Sequence, residues 1–428
     1  MATIKHLRWW IAGLLFLATV INYIDRQTLS VLAPLLRDKF GMTNTDYSRV
    51  IFGFMLAYTI MQSGSGRLMD WLGTKRGFSL AIIWWSIAAL LHSVANSALH
   101  LGFFRFLLGM GEAGNWPGAV KAISEWFPDR ERALAVGFFN SGSCIGAIIA
   151  PPVVTWIAIH WGWRAAFLVT SLLGFMWLVA WLVFYHLPQH HPNISPSELE
   201  LIRAGQSRPV ESPTTVSSAN PTGQAPGGWL SLLKYRQVWG LILSRMLADP
   251  VWWFYVFWLP EYLSRERHFS LEMIGYFAWI PFLSADLGNF VGGGLSGYLI
   301  RRGKPVLAAR GTVMFFSAAT MLVGIPAVLT GNVIPALALI SLATLAYSSW
   351  ASNILTLPAD IFPHSCVASV SGLSGTGGAI GGMIFTLITG AVLDRFSYLP
   401  IFVAAGIMPL VAASIALWGL RAGPIRGA

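Results

Sequence analysis

Seven ionisable side chains fall inside long apolar stretches of this sequence: Asp25, Arg26, Arg105, Glu112, Arg245, Asp249 and Asp286. A charge at the middle of a bilayer costs about 2.5–3.5 kcal/mol on insertion scales, so such residues usually face a cavity or a partner. Asn22, Asp25 and Arg26 stand at i, i+3 and i+4 and share one helix face; Arg105 and Glu112, seven apart, share another. If these faces meet, two arginines and two carboxylates surround one cavity. The planar guanidinium suits bidentate binding of a carboxylate. A desolvated carboxylate takes a proton more readily than one in water, and a nearby arginine opposes that. Such a cluster links proton occupancy to anion occupancy. The competing reading is a set of static salt bridges pinning two helices, a task that apolar residues perform more cheaply in lipid.

Arg245 and Asp249 stand at i, i+4 on a later helix, where they neutralise each other in a structural or gating role or else touch the substrate. Asp286, with Asn289, faces a cavity or caps an interhelical contact. Pro117 interrupts its helix just after Glu112, as a hinge or as an accommodated kink. The run Ser371-Gly372-Leu373-Ser374-Gly375-Thr376-Gly377-Gly378 lets helices approach closely. It is no phosphate loop, because no strand precedes it and no Gly-Lys-Ser/Thr follows. An enzyme embedded in a membrane needs a His/Asp, Ser/His or metal constellation at a membrane face. Most histidines lie near loops and His92 stands alone within a span; the two cysteines, Cys144 and Cys366, are far apart. No catalytic role, metal site or cofactor is therefore expected.

The elements that must position these residues are legible from composition. Of the 428 residues 55% are hydrophobic and only 11% charged, against about 25% charged in a soluble globular chain. The mean hydropathy is +0.62. So few charges cannot coat a water-exposed surface, and lipid must cover much of it. The net charge of +10 sits in short clusters between apolar runs, such as Lys75-Arg76 and Arg301–Lys304, with no continuous basic patch, which argues against nucleic acid. Runs of about 20 apolar residues cross a hydrocarbon core as helix. They fall near 9–29, 47–66, 77–96, 99–121, 134–158 and 164–186, then near 237–260, 272–299, 306–329, 333–357, 367–392 and 398–420. The fold class expected is an all-α polytopic membrane protein with twelve transmembrane helices. Residues 1–187 form one six-helix bundle and 236–428 the other, joined by a Pro-, Ser- and Gly-rich linker over 188–235, where Ser195-Pro196-Ser197-Glu198 reads as the start of a short helix. The first apolar run reads as a span, not a removed signal peptide. Lys and Arg concentrate in the loops on the side of the N-terminus, which predicts that both termini and the linker are cytoplasmic.

The two halves repeat. Phe127-Pro128 recurs as Phe362-Pro363, Ala133 as Ala368, Gly137 as Gly372, Gly142 as Gly377 and Ile145-Gly146 as Ile380-Gly381, always 235 residues apart. A constant offset at the same place in each half predicts two homologous bundles around a central cavity.

The loop Gly66-Arg67-Leu68-Met69-Asp70-Trp71-Leu72-Gly73-Thr74-Lys75-Arg76 resembles the G-x-L-x-D-x-x-G-x-[KR]-[KR] motif of the major facilitator superfamily, between its second and third helices. Its second-half counterpart, Gly294 to Lys304, is degenerate and lacks the Asp. Within that superfamily four stretches are similar to the anion:cation symporter branch, and there to bacterial hexuronate and aldonate transporters: Asn22 to Arg26, Gly109 to Asn115, Ala248 to Tyr255, and Ala285 to Asn289. The resemblance implies a major facilitator fold of two pseudo-symmetric bundles in the inner membrane. It implies a proton-coupled symporter that imports a sugar-acid anion, such as glucuronate, galacturonate or galactonate, by alternating access. By that resemblance Arg26, with Tyr23 and Tyr58, binds the anion, Arg105 contacts both carboxylates and substrate, and Asp25 and Glu112 carry protons. Asp70 and Arg76 serve structure or gating. Many branch relatives have Asn where Gly375 stands here; its partner at the 235 offset is Asn140, so contacts to sugar hydroxyls are distributed differently, with Asn140, Ser352, Asn353 and Thr376 as candidates. The expected partners are a small organic anion, protons and the bilayer, with the chain working as a monomer. The alternative is Na+- or H+-coupled carriage of another organic anion, such as phthalate, tartrate or a dicarboxylate.

Overall fold

The computed structural model of the chain describes residues 3–205, 229–362 and 364–421. Those residues are helical, without a strand. In the first half lie α1 (Leu7–Phe40), α2 (Asn44–Leu72), α3 (Thr74–Leu91), α4 (Ala98–Glu112), α5 (Asn115–Trp126), α6 (Asp129–Trp161) and α7 (Trp163–Phe184). The short α8 (Pro196–Gly205) follows, then α9 (Arg236–Arg265), α10 (Leu271–Phe277), α11 (Ile280–Arg301), α12 (Val306–Thr320) and α13 (Ile325–Leu329). The chain continues through α14 (Val333–Ile354), α15 (Leu357–Ile361), α16 (His364–Leu393) and α17 (Leu399–Leu420). Helix is the form that satisfies every backbone N–H and C=O within one segment, as an apolar solvent demands. Eight of the described helical spans are long and apolar enough to cross a membrane. Large apolar side chains such as Trp10, Leu99, Phe290, Phe316 and Ile334 point outward.

Three spans expected to be continuous are broken: 99–121 into α4 and α5, 272–299 into α10 and α11, and 306–329 into α12, a 3₁₀ turn at Met321–Gly324 and α13. Each break has a proline in the first turn of the piece that follows, at Pro117, Pro281 and Pro326. Proline lacks the N–H that would bond back across the junction, and its fixed φ suits a helix start. The α2–α3 turn is made by Gly73 at φ 75°, a conformation open to glycine without strain, which accounts for the second glycine of the loop motif.

The chain divides into two compact units. One comprises Met1–Gly41, Arg49–Ser217 and Phe269–Tyr276; the other comprises Met42–Ser48, Ser218–His268 and Phe277–Ala428. In the first, α6 packs on α1: a Cβ at Gly142 would lie 2.6 Å from the Phe16 carbonyl oxygen, and one at Gly146 2.6 Å from that of Val20. In the second, α16 packs on α9 in the same way: a Cβ at Gly377 would lie 2.7 Å from the Ile242 carbonyl oxygen, and one at Gly381 would run into that of Met246. The 235-residue repeat is thus a repeat of close helix contacts, the small-xxx-small device by which backbones approach in lipid.

The ends of the helices are capped by distant carboxylates. Glu198 of α8 accepts the first amides of α1, from Leu7 N (2.9 Å) and Arg8 N (3.2 Å), and pairs with the Arg8 guanidinium at 2.8 Å. Ser195 Oγ accepts from Glu198 N, capping α8. Within the second unit Asp394 accepts from the amides of Asn44 and Thr45 at the start of α2.

Candidate functional site

The first unit holds a buried ionic centre. Arg26 on α1 donates from Nε (3.0 Å) and Nη2 (2.7 Å) to Oε2 of Glu112, with the two side chains 1% and 0% exposed. Its Nη2 also reaches Asn22 Oδ1 at 3.4 Å. The guanidinium carbon lies over the rings of Tyr23 (4.8 Å), Phe54 (5.1 Å) and Tyr58 (5.1 Å), so three aromatic faces surround the cation. Arg105 on α4 donates to the Arg26 carbonyl oxygen at 2.7 Å and lies 5.6 Å from the Phe54 ring. Glu112 is the last residue of α4, at the break opened by Pro117, where it meets the negative end of the helix dipole. The Arg26 cation offsets that unfavourable placement.

Asp25 does not join this pair. It is 2% exposed, and neither carboxylate oxygen has a hydrogen-bond partner among the described residues. It lies instead beside Thr170 of α7. The i, i+3, i+4 spacing thus puts Asn22 and Arg26 in contact while the Asp25 side chain turns toward another helix. Phe54 was not singled out in the sequence, although it stands one turn before Tyr58 on α2 and completes the cage. Asn115, at the start of α5, donates to Thr19 Oγ1 at 3.1 Å and ties the interrupted helix back to α1.

Asn140 is exposed on α6, with its carbonyl accepting from Ser143 Oγ. Arg76, at the start of α3, is exposed, and the Asp70 side chain lies outside the described residues.

In the second unit Arg245 donates to Asp249 Oδ2 through Nε (2.9 Å) and pairs through Nη2 (2.7 Å), and its Nη1 reaches Ser374 Oγ at 3.5 Å. Tyr347 O–H donates to Asp249 Oδ1 at 3.5 Å and stacks on Trp252. A Cβ at Gly375 would lie 3.4 Å from Arg245 Nη1, so the bare glycine leaves room beside that guanidinium. Asn353 is fully buried: its amide donates to Gly292 O and Ser349 O, and its Oδ1 accepts from Arg310. Arg310 also bonds Ser296 Oγ and pairs with Asp360 at 3.1 Å. Asn353 was a candidate on its own, but the junction escaped the sequence because its four members come from α11, α12, α14 and α15, with no shared helix face. Ser352 Oγ donates to Ser349 O, and Thr376, exposed on α16, donates to Gly372 O. Asp286 is half-buried on α11. Among the described residues no three His, Cys, Asp or Glu side chains gather as metal ligands.

Comparison with known proteins follows the same lines. A family model described as Major Facilitator Superfamily matches residues 15–386. The hexuronate transporter of Escherichia coli K12 is 34% identical over 419 residues, covering 98% of this chain and 95% of that protein. The galacturonate transporter of Dickeya chrysanthemi is 38% identical over 295 residues, covering 68% of this chain and 82% of its own. Among solved structures, a bacterial homolog of the human lysosomal transporter Spinster, inward-facing and occupied, superposes with a TM-score of 0.75 at 18% identity, covering 98% of each chain.

Proposed function

Because the chain belongs to the Major Facilitator Superfamily and is a multi-pass membrane transporter, not an enzyme, we propose that it imports a sugar-acid anion together with protons. The observation that carries the reading is the Arg26–Glu112 pair, enclosed by Tyr23, Phe54 and Tyr58, with the buried Asp25 carboxylate paired to no cation among the described residues. A buried guanidinium satisfied by one carboxylate can exchange that partner for another. When Glu112 takes a proton, Arg26 is left to a substrate carboxylate, which a guanidinium receives in the same two-point geometry. Loss of the anion inside follows deprotonation of Glu112, which reclaims Arg26. Asp25, with no cation bonded to it but within electrostatic reach of Glu112 and Arg105, takes a second proton and sets a second condition on the carrier's return.

The substrate class rests on relatives: transporters of hexuronate, galacturonate and D-galactonate are 34%, 38% and 28% identical to this chain. On this reading the protein works by alternating access of its two bundles in the inner membrane, both termini cytoplasmic, as a monomer. Asn140, Ser352, Asn353 and Thr376 are the residues proposed to meet sugar hydroxyls. Arg245–Asp249, Asp286, Asp70 and Arg76 serve packing and gating.

The test is uptake of radiolabelled glucuronate, galacturonate and galactonate into sealed proteoliposomes under an inward pH gradient. Accumulation that collapses with a protonophore is expected. Uptake that follows Na+ and ignores the protonophore overturns the coupling; no uptake of any of the three overturns the substrate class and returns the search to other organic anions.

A further inference from the structure

One face of α7 collects buried polar atoms that the Arg26 centre does not use. Phe167, Thr170 and Gly174 stand at i, i+3 and i+7 and so share that face. Opposite Phe167 the ring of His92 stacks at 5.1 Å. Beside Thr170 lies Asp25. At Gly174 a Cβ would sit 2.2 Å from Ser86 Oγ and 3.6 Å from Trp85 Nε1. Both oxygens of Asp25, His92 Nε2, Ser86 Oγ and Trp85 Nε1 have no hydrogen-bond partner among the described residues. All four residues are at most 2% exposed. Buried polar atoms left in this state are costly, and the usual remedy in a polar interior is bound water.

His92 occupies one end of this row. It lies in the 3₁₀ turn His92–Val94 after α3, next to Ser93, whose carbonyl takes Arg164 Nε at 3.0 Å, and Val94, which is 57% exposed. The apolar span ends at Val94 and the chain turns at the exposed Asn96, so the end of the span lies within about one turn of His92. Its Nδ1 stands 2.8 Å from the Ala88 carbonyl oxygen. A carbonyl only accepts, so Nδ1 carries the hydrogen and Nε2 presents a lone pair. The charged and titratable groups around it are Arg105 of α4, within electrostatic reach of both His92 and Asp25, then Asp25 of α1, Arg164 of α7, and His100, whose ring faces Phe104 beside His92.

We propose that His92 is the relay by which protons pass between solvent at the α3–α4 end of the first unit and Asp25, along water held between the partnerless atoms of these two residues, with Ser86 and Trp85 closing the row beyond Asp25. The step moves one proton and breaks no other bond. A hydronium at the mouth protonates Nε2; Nε2 returns that proton to the next water inward, which delivers it to an Asp25 oxygen. Asp25 then loads without passing a proton through the Arg26 cage, so anion and proton enter by separate routes. The relay rests on the proton coupling proposed above.

The experiment compares two activities of one preparation in proteoliposomes: uptake driven by a pH gradient, and counterflow exchange of preloaded substrate at equal pH, which needs no net proton movement. His92→Phe keeps the ring stack and removes both nitrogens. It is expected to slow gradient-driven uptake about tenfold or more while leaving counterflow near wild type. In His92→Ala, added imidazole is expected to restore part of the driven uptake. Should His92→Phe fail to fold, His92→Gln carries the same expectation, since its amide donates to Ala88 O but titrates no proton. Driven uptake at the wild-type rate overturns the relay, as does an equal fall in both activities without imidazole rescue. Wild-type uptake that ignores a protonophore overturns the coupling itself, a result read from a different sample.

Discussion

Glu112→Gln tests the ionic centre most directly. The substitution keeps the size of the side chain and an oxygen for Arg26 but removes the charge from a pair that is 1% and 0% exposed, with Nε and Nη2 both on one oxygen at 3.0 and 2.7 Å. Breaking a buried pair by deleting one charge costs about 3–5 kcal/mol, mostly because the remaining charge is stranded. Here the stranded cation is Arg26, and a substrate carboxylate can relieve it. The variant is therefore expected to lose stability without substrate and to recover much of it when substrate binds, read as a larger ligand-induced rise in melting temperature than in the wild type. Coupling follows separately. One proton moved with one monoanion supports about tenfold accumulation per pH unit with the membrane potential clamped. Glu112→Gln is expected to hold the internal-to-external ratio near one while exchanging labelled substrate in counterflow. Accumulation at the wild-type ratio refutes the role of Glu112. Loss of exchange and accumulation together, in a folded protein that substrate no longer stabilises, supports a static pair instead.

Three further outcomes follow from the packing. Gly381→Ala puts a methyl against the Met246 carbonyl oxygen and should destabilise by about 1–3 kcal/mol, whereas Gly293→Ala, with nothing within 4 Å, should not; thermal unfolding in detergent compares them. Glu198→Ala uncaps α1 at Leu7 and Arg8 and leaves the Arg8 guanidinium to Glu131, which it already meets at 2.9 Å, for a loss of about 0.5–2 kcal/mol and faster amide exchange over the first turn of α1. Burial acts to raise the Asp394 pKa, but hydrogen bonds from Thr45 and Asn44 outweigh it and leave the carboxyl below its ordinary value. Its folded pKa being depressed, its contribution is complete above the unfolded value near 3.8 and fades as pH falls through the folded one. Asp394→Asn should thus lower the melting temperature at pH 7, and that effect should shrink progressively as the pH is taken below 3.8.

The elements were readable because lipid imposes one rule on every span: an apolar run of sufficient length becomes helix. The breaks were less so. The sequence marks an interruption at Pro117 just after Glu112, and α4 does end there, with the break at Ala113 and Gly114 where the missing proline N–H would have bonded; the breaks before Pro281 and Pro326 were not anticipated from the sequence. Arg26 and Glu112 were placed together by type and spacing alone, and their contact is direct. Asp25 shared the same spacing argument and turned elsewhere, because a helix face is wide enough for neighbours at i+3 and i+4 to meet different helices. Arg310, Asp360, Ser296 and Asn353 form a junction that periodicity cannot reveal, since each comes from a separate segment and only the fold brings them within reach.

The repeat also shows which physical demands the two halves share. Gly142 and Gly146 meet carbonyls of α1, and Gly377 and Gly381 meet carbonyls of α9, Gly381 the most closely, so the same sequence signal solves the same packing problem twice. The charges obey no such constraint. In the first unit Arg26 reaches across to Glu112 on a different helix, and its pairing holds α1 against the broken end of α4. In the second, Arg245 pairs with Asp249 one turn away on its own helix, so its charge is neutralised without tying helices together; the contacts of this pair to Ser374 and Tyr347, which leave α9, are longer. A pair that spans two helices changes their relation when it opens, whereas a pair within one helix does not. Proton and anion chemistry at Glu112 can therefore act on helix arrangement, while the same chemistry at Asp249 would act mainly on its own turn.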